Sequence, residues 1–132
     1  MIVLDTHALL WYLSDQKRLS AKARKAINQH SQQIGMLLVS SISVWEISML
    51  VQKGRLALTV DLDSWIGQLE KVPAVRFQPI SNKIALTSTH LPGEFHKDPA
   101  DRMIVATARI NACSLVTADE KIRAYPHVES IW

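Results

Sequence analysis

The chain has 132 residues, 48% apolar and 20% charged, which suits one domain with one core and excludes a disordered chain. Lys and Arg exceed Asp and Glu by 15 to 12, a net +3 that permits a polyanionic partner without demanding one. The single cysteine, Cys113, excludes an internal disulfide and a zinc knuckle, and no apolar run reaches the length of a membrane span.

The chain starts with Met1 and runs directly into Ile2-Val3-Leu4, with no basic lead or cleavage site, so the expectation is a cytoplasmic protein. Residues 2–5 read as a short buried strand and 7–13 as a helix. Ser20 can cap a second helix through Ile27. Residues 36–40 suit another buried strand, and Ser41 or Ser43 can cap a helix running to Lys53, with Gly54 as its stop. Asp61 or Asp63 starts a helix through Lys71, and residues 74–80 are extended between Pro73 and Pro79. Residues 82–89 read as a short helix. Pro99 to Ala112 is a helix with Ile104, Val105, Ala108 and Ala112 at helical spacing. A strand at 114–117, a helical turn at 120–124 and a last strand at 127–131 complete the order. Strand and helix alternate without repeat or linker, which predicts a single α/β domain over 1–132, a parallel sheet covered on both faces. The segment 91–97 is the longest irregular piece and would form one wall of a cleft.

Five acids stand at chemically exposed places. Asp5 and Asp119 each follow an apolar strand, at the carboxyl end where parallel α/β sheets hold their ligands. Each also reads as a cap for the helix that follows. Glu46 shares a helix face with Ile42, Met49 and Leu50, so it points at apolar surface with no local Lys or Arg. A buried charge needs a partner, either a distant cation or a metal. Asp98-Pro99-Ala100-Asp101 is a strong helix start, with Asp at the cap, Pro at the first position and an acid at the third. If Asp98 caps, Asp101 is free to point into a site, with Asp98 as an additional acid beside it. Gathered carboxylates repel, so one is protonated or a cation is present. Oxygen donors without Cys favour Mg²⁺ or Mn²⁺, and the matching chemistry is phosphodiester hydrolysis. His7 and His96 lie near acids and would touch substrate. The basic stretch Lys17, Arg18, Lys22, Arg24 and Lys25 is either a solvated helix face or a track for a phosphate backbone. No nucleophile elbow, phosphate-binding loop or dinucleotide fingerprint is present.

Taken in order, Ile2-Val3-Leu4-Asp5-Thr6-His7, Val39 to Ile47, His96-Lys97-Asp98-Pro99-Ala100-Asp101-Arg102 and Leu115-Val116-Thr117-Ala118-Asp119 resemble the PIN-domain ribonucleases. More narrowly they resemble the VapC-type toxins of type II toxin–antitoxin pairs. The resemblance implies a small parallel sheet sandwiched between helices and a Mg²⁺- or Mn²⁺-dependent endonuclease acting on RNA. It implies Asp5, Glu46, Asp101 and Asp119 as the acidic quartet, with Asp98 as an extra acid. Thr6 and Thr117 match small hydroxyls that orient the acids, and Arg102, Lys22 and Lys25 are candidate RNA contacts. A homodimer and a separate antitoxin protein are also implied. The alternative is a PIN-like module that binds RNA or protein without cutting. An aspartyl-nucleophile phosphatase would want a second Asp two residues after the first, and His7 stands there.

Overall fold

Three apolar runs, Ile2–Leu4 (β1), Leu37–Ser40 (β2) and Ser114–Val116 (β4), form the middle of the sheet because their side chains are apolar on both faces. A computed structural model describes residues 1–132. Val75–Gln78 (β3) and Ser130–Ile131 (β5) are the edges of the five-stranded, wholly parallel sheet, in the order β3-β2-β1-β4-β5. The helices are Thr6–Ser14 (α1), Ala21–His30 (α2), Ser41–Gln52 (α3), Leu62–Glu70 (α4), Asn82–Thr89 (α5), Pro99–Ile110 (α6) and Glu120–Ala124 (α7). A 3₁₀ turn occupies Gln16–Arg18. No helix is long and apolar enough to cross a membrane.

Strand periodicity divides the core into two layers. Ile2, Leu4, Leu37, Val39, Val75 and Val116 face one side, packed with Leu9 of α1, Ile27 of α2, Ile47 of α3 and Leu69 of α4. Val3, Leu38 and Leu115 face the other, packed with Ile84 of α5, Ile104 and Val105 of α6 and Ile122 of α7. Helices therefore cover both faces, the sandwich expected from the alternation of elements.

Several boundaries differ from the sequence expectation, each for a local reason. β1 stops at Leu4 because Asp5 turns out of the strand to cap α1. α2 continues to His30, one turn past Ile27. α3 is capped by Ser40 rather than Ser41 or Ser43, since the Ile42 N–H donates to the Ser40 hydroxyl. Gly54 ends that helix at φ 70, as its missing Cβ permits. α6 stops at Ile110, and β5 shrinks to two residues.

Candidate metal and nucleotide site

The chain leaves β1 in two directions, toward β2 and β3 on one side and toward β4 and β5 on the other. The carboxyl ends of β1 and β4 thus flank the switch point of the sheet, and Asp5 and Asp119 follow those ends. A cleft there is lined by Asp5, Thr6, His7, Trp11, Glu46, Asp98, Asp101, Ile104, Ala118 and Asp119. All five acids singled out from sequence meet in it. No Lys or Arg lines it.

Three of the five carboxylates, those of Asp5, Asp98 and Asp119, cap the start of a helix. The Ala8 N–H donates to Asp5 Oδ1 at 2.8 Å, and Asp5 is only 7% exposed. The Asp101 N–H donates to Asp98 Oδ1 at 3.0 Å, so Asp98 is the cap of α6 and Asp101 stands in its first turn. The N–H groups of Lys121 and Ile122 donate to Asp119 Oδ1. Two threonines tie the acids together. Thr117, fully buried, accepts the Asp119 N–H at 3.0 Å, and its hydroxyl lies beside Asp5, where it favours the ionised carboxylate. Thr6 donates to Glu46 Oε1 at 2.5 Å, and its oxygen lies 2.8 Å from the Ser43 hydroxyl. Glu46, from α3, therefore finds a hydroxyl rather than a cation as its partner. Both threonines orient acids.

The electrostatics are strained in one direction. Burial raises the Asp5 carboxyl above its ordinary value, against the opposing hydrogen bonds from Thr117 and Ala8. Burial also raises Glu46, with Asp98 and Asp5 adding to it and Thr6 opposing. Asp101 is pushed up to about 7, by burial first and then by Asp98, Asp119, Glu46 and Asp5. A donor set of carboxylate oxygens that destabilise one another fits a hard divalent cation, which would relieve the repulsion.

Three of the expected RNA contacts stand elsewhere. Arg102 is one of them. Its Nε donates to the Ser88 carbonyl at 2.7 Å and its Nη1 to the Phe95 and His96 carbonyls at 3.1 and 3.2 Å, which engages these two nitrogens within the protein. Lys25 borders a shallow surface with Arg24 and Asn28, and Lys22 lies beside Glu120 and Arg123; neither lines the cleft. Arg18, from the same basic stretch, places its guanidinium 5.5 Å from the ring of Trp11, which lines the cleft. Trp11 and Ser43 went unread in the sequence. The signal was there for both: Trp11 lies four residues from His7, and Ser43 three from Glu46, on shared helix faces. His96 places Nε2 3.0 Å from Asp101 Oδ2.

The PIN domain family matches residues 2–128, nearly the whole chain. The chain belongs to the PIN domain family. Among curated relatives, this PIN domain is 36% identical to Ribonuclease VapC22 of Mycobacterium tuberculosis over 126 residues, covering 96% of this chain and 92% of the relative. Among solved structures its fold is similar to VapBC2 from Rickettsia felis bound to a DNA fragment from its promoter. The TM-score is 0.70 at 16% identity, covering 98% of this chain and 97% of that one. FitAcB from Neisseria gonorrhoeae gives a TM-score of 0.69 at 19% identity, covering 98% and 96%. At those identities the solved structures speak for the fold of this PIN domain alone.

Proposed function

We propose that this PIN domain is a metal-dependent endoribonuclease that hydrolyses RNA phosphodiesters as the toxin of a toxin–antitoxin pair. The observation that carries the proposal is the cleft itself, where five carboxylates from four segments converge with no Lys or Arg among them. The relative named Ribonuclease VapC22 supports the substrate class. A fold neighbour, a toxin–antitoxin complex from Klebsiella pneumoniae (TM-score 0.65 at 20% identity, covering 97% of this chain and 95% of that one), supports an antitoxin partner. A homodimer belongs to the same proposal.

Asp5, Asp101 and Glu46 would hold the principal ion, Mg²⁺ or Mn²⁺, with Asp119 completing the site and Asp98 holding the start of α6. A bound ion of this kind neutralises phosphate charge and acidifies a water nucleophile. The chain's own contribution is placement and ionisation. Thr117 and the Ala8 N–H hold Asp5 in a fixed rotamer, and Thr6 does the same for Glu46. Without a cation the cleft would repel an RNA backbone, so metal precedes productive binding. Arg18 and His7 at the rim are the groups that would meet flanking phosphates.

The test is cleavage of a panel of structured and single-stranded RNAs with Mg²⁺, with Mn²⁺ and with EDTA, beside Asp5→Asn. Asn still caps a helix, so the variant keeps α1. Cleavage is expected to need metal and to fall at least about 100-fold in the variant, the scale on which one electrostatic group acts. Undiminished cutting in EDTA or by Asp5→Asn would refute the proposal. Absence of cutting by folded, antitoxin-free wild type, with RNA still bound, would favour a binding module.

A further inference from the structure

His96 precedes the Asp98-Pro99-Ala100-Asp101 helix start; segment 91–97, expected as a wall of the cleft, lines a neighbouring hollow with Arg102 instead, and His96 is the residue of it that meets the acids, at Asp101. Its ring is clamped from several sides. Arg102 holds the carbonyls of Phe95 and His96 itself. The His96 ring stands edge-on to Phe95 at 4.5 Å, and Phe95 packs on Tyr125 at 4.6 Å. The Tyr125 hydroxyl donates to the Pro92 carbonyl at 2.5 Å, which fixes the start of the same segment.

Within this clamp, Nε2 of His96 is buried and makes no hydrogen bond. A buried polar atom without a partner is costly and rare. Asp101 Oδ2 is 3.0 Å away, a distance that would suit an ion pair, yet it lies off the axis of the ring nitrogen and forms no hydrogen bond. That offset is the arrangement of two ligands on one ion. Donors at right angles on a cation about 2.1 Å from each stand about 3.0 Å apart. A carboxylate oxygen of Asp119 lies within 4.8 Å of a ring nitrogen of His96 and of a carboxylate oxygen of Asp101.

We propose that His96 is a nitrogen ligand of the cation held by this cleft, and that it biases the site toward Mn²⁺ over Mg²⁺. This role rests on the metal-dependent function proposed above. Mg²⁺ demands oxygen donors in a tight octahedron, whereas ions further along the transition series, beginning with Mn²⁺, accept imidazole nitrogen more readily. The four carboxylates implied by the family resemblance would not discriminate in this way; a fifth, nitrogen donor would.

The experiment loads full-length wild type with Mn²⁺ alone and records electron spin echo envelope modulation, which reads ¹⁴N nuclei coupled to the bound ion. His7, at the same cleft, is the control through His7→Gln. His96→Phe removes the nitrogen and keeps an aromatic ring against Phe95. Expected are a ¹⁴N coupling in wild type, its persistence in His7→Gln and its loss in His96→Phe. In His96→Phe the dissociation constant for Mn²⁺, measured by calorimetry, is expected to rise on the order of tenfold and that for Mg²⁺ less than about threefold. Bound Mn²⁺ without ¹⁴N coupling in wild type overturns the role of His96 even where the variant fails to fold. Coupling that survives His96→Phe, or equal losses for the two metals, overturns it as well. In those cases the metal-dependent function stands. Failure of wild type to bind Mn²⁺ at all overturns both.

Discussion

Asp101 makes the stability of the metal-free protein sensitive to pH. Its carboxyl is pushed up to about 7, while in the unfolded chain it titrates near the ordinary aspartate value of 3.8. Between those values the folded state binds a proton that the unfolded state has released. Stability from this group is therefore complete below about pH 4 and is lost as pH rises through about 7. Asp5 and Glu46 are shifted in the same direction, so they add to the trend. Asp101→Asn removes the titrating group and the charge. In EDTA the variant is expected to gain on wild type steadily from about pH 4 to pH 7, so that its advantage in melting temperature is larger at pH 8 than at pH 5 by the equivalent of a few kcal/mol. Thermal melts across that range are the measurement. A constant difference between the two proteins at every pH would contradict the assignment.

At the scale of elements, α6 is tied to its approach segment by one side chain. Arg102 reaches Ser88 at the end of α5 and Phe95 and His96 on the segment before α6, so it couples α5, that segment and the helix that carries Asp101. Lys cannot reproduce a planar fork with several fixed donors. Arg102→Lys is expected to cost about 2 kcal/mol in thermal or denaturant unfolding, since it leaves buried carbonyls unsatisfied. Cleavage should fall on the order of tenfold because the start of α6, which carries Asp101, loses its support. An RNA contact would instead lower affinity for RNA with no loss of stability. This role could not be read in the sequence, because the carbonyls that Arg102 meets are defined only once segments 6 to 14 residues away fold back. The elements were more legible. Ile2-Val3-Leu4 and Leu115-Val116 are apolar on both faces, and the order of strand and helix leaves few topologies. Glu46 was legible because a charge on an apolar helix face is anomalous at once. The Ser40 cap was missed because three serines within residues 40–43 offer equivalent side chains, and only the exit angle of β2 selects among them.

For the whole molecule, the sheet order sets the site against the fold. Placing β1 beside β4 brings Asp5 and Asp119 together, and α3 and α6 add Glu46, Asp98 and Asp101 from either side. Folding thus gathers charges that the unfolded chain keeps apart, and a cation that binds only the gathered set stabilises the fold by mass action. At ten times its dissociation constant the ion should add about 1.4 kcal/mol. For a domain of this size that corresponds to roughly 4–6 °C in Tm. The increment should shrink at pH 5, where protons compete for Asp101, and it should be largely absent in Asp101→Asn. Melts with graded Mn²⁺ and Mg²⁺ at pH 8 and pH 5 measure both. An equal shift in wild type and Asp101→Asn would mean that the cation acts elsewhere on the protein, and the convergence of the five acids would then need another explanation.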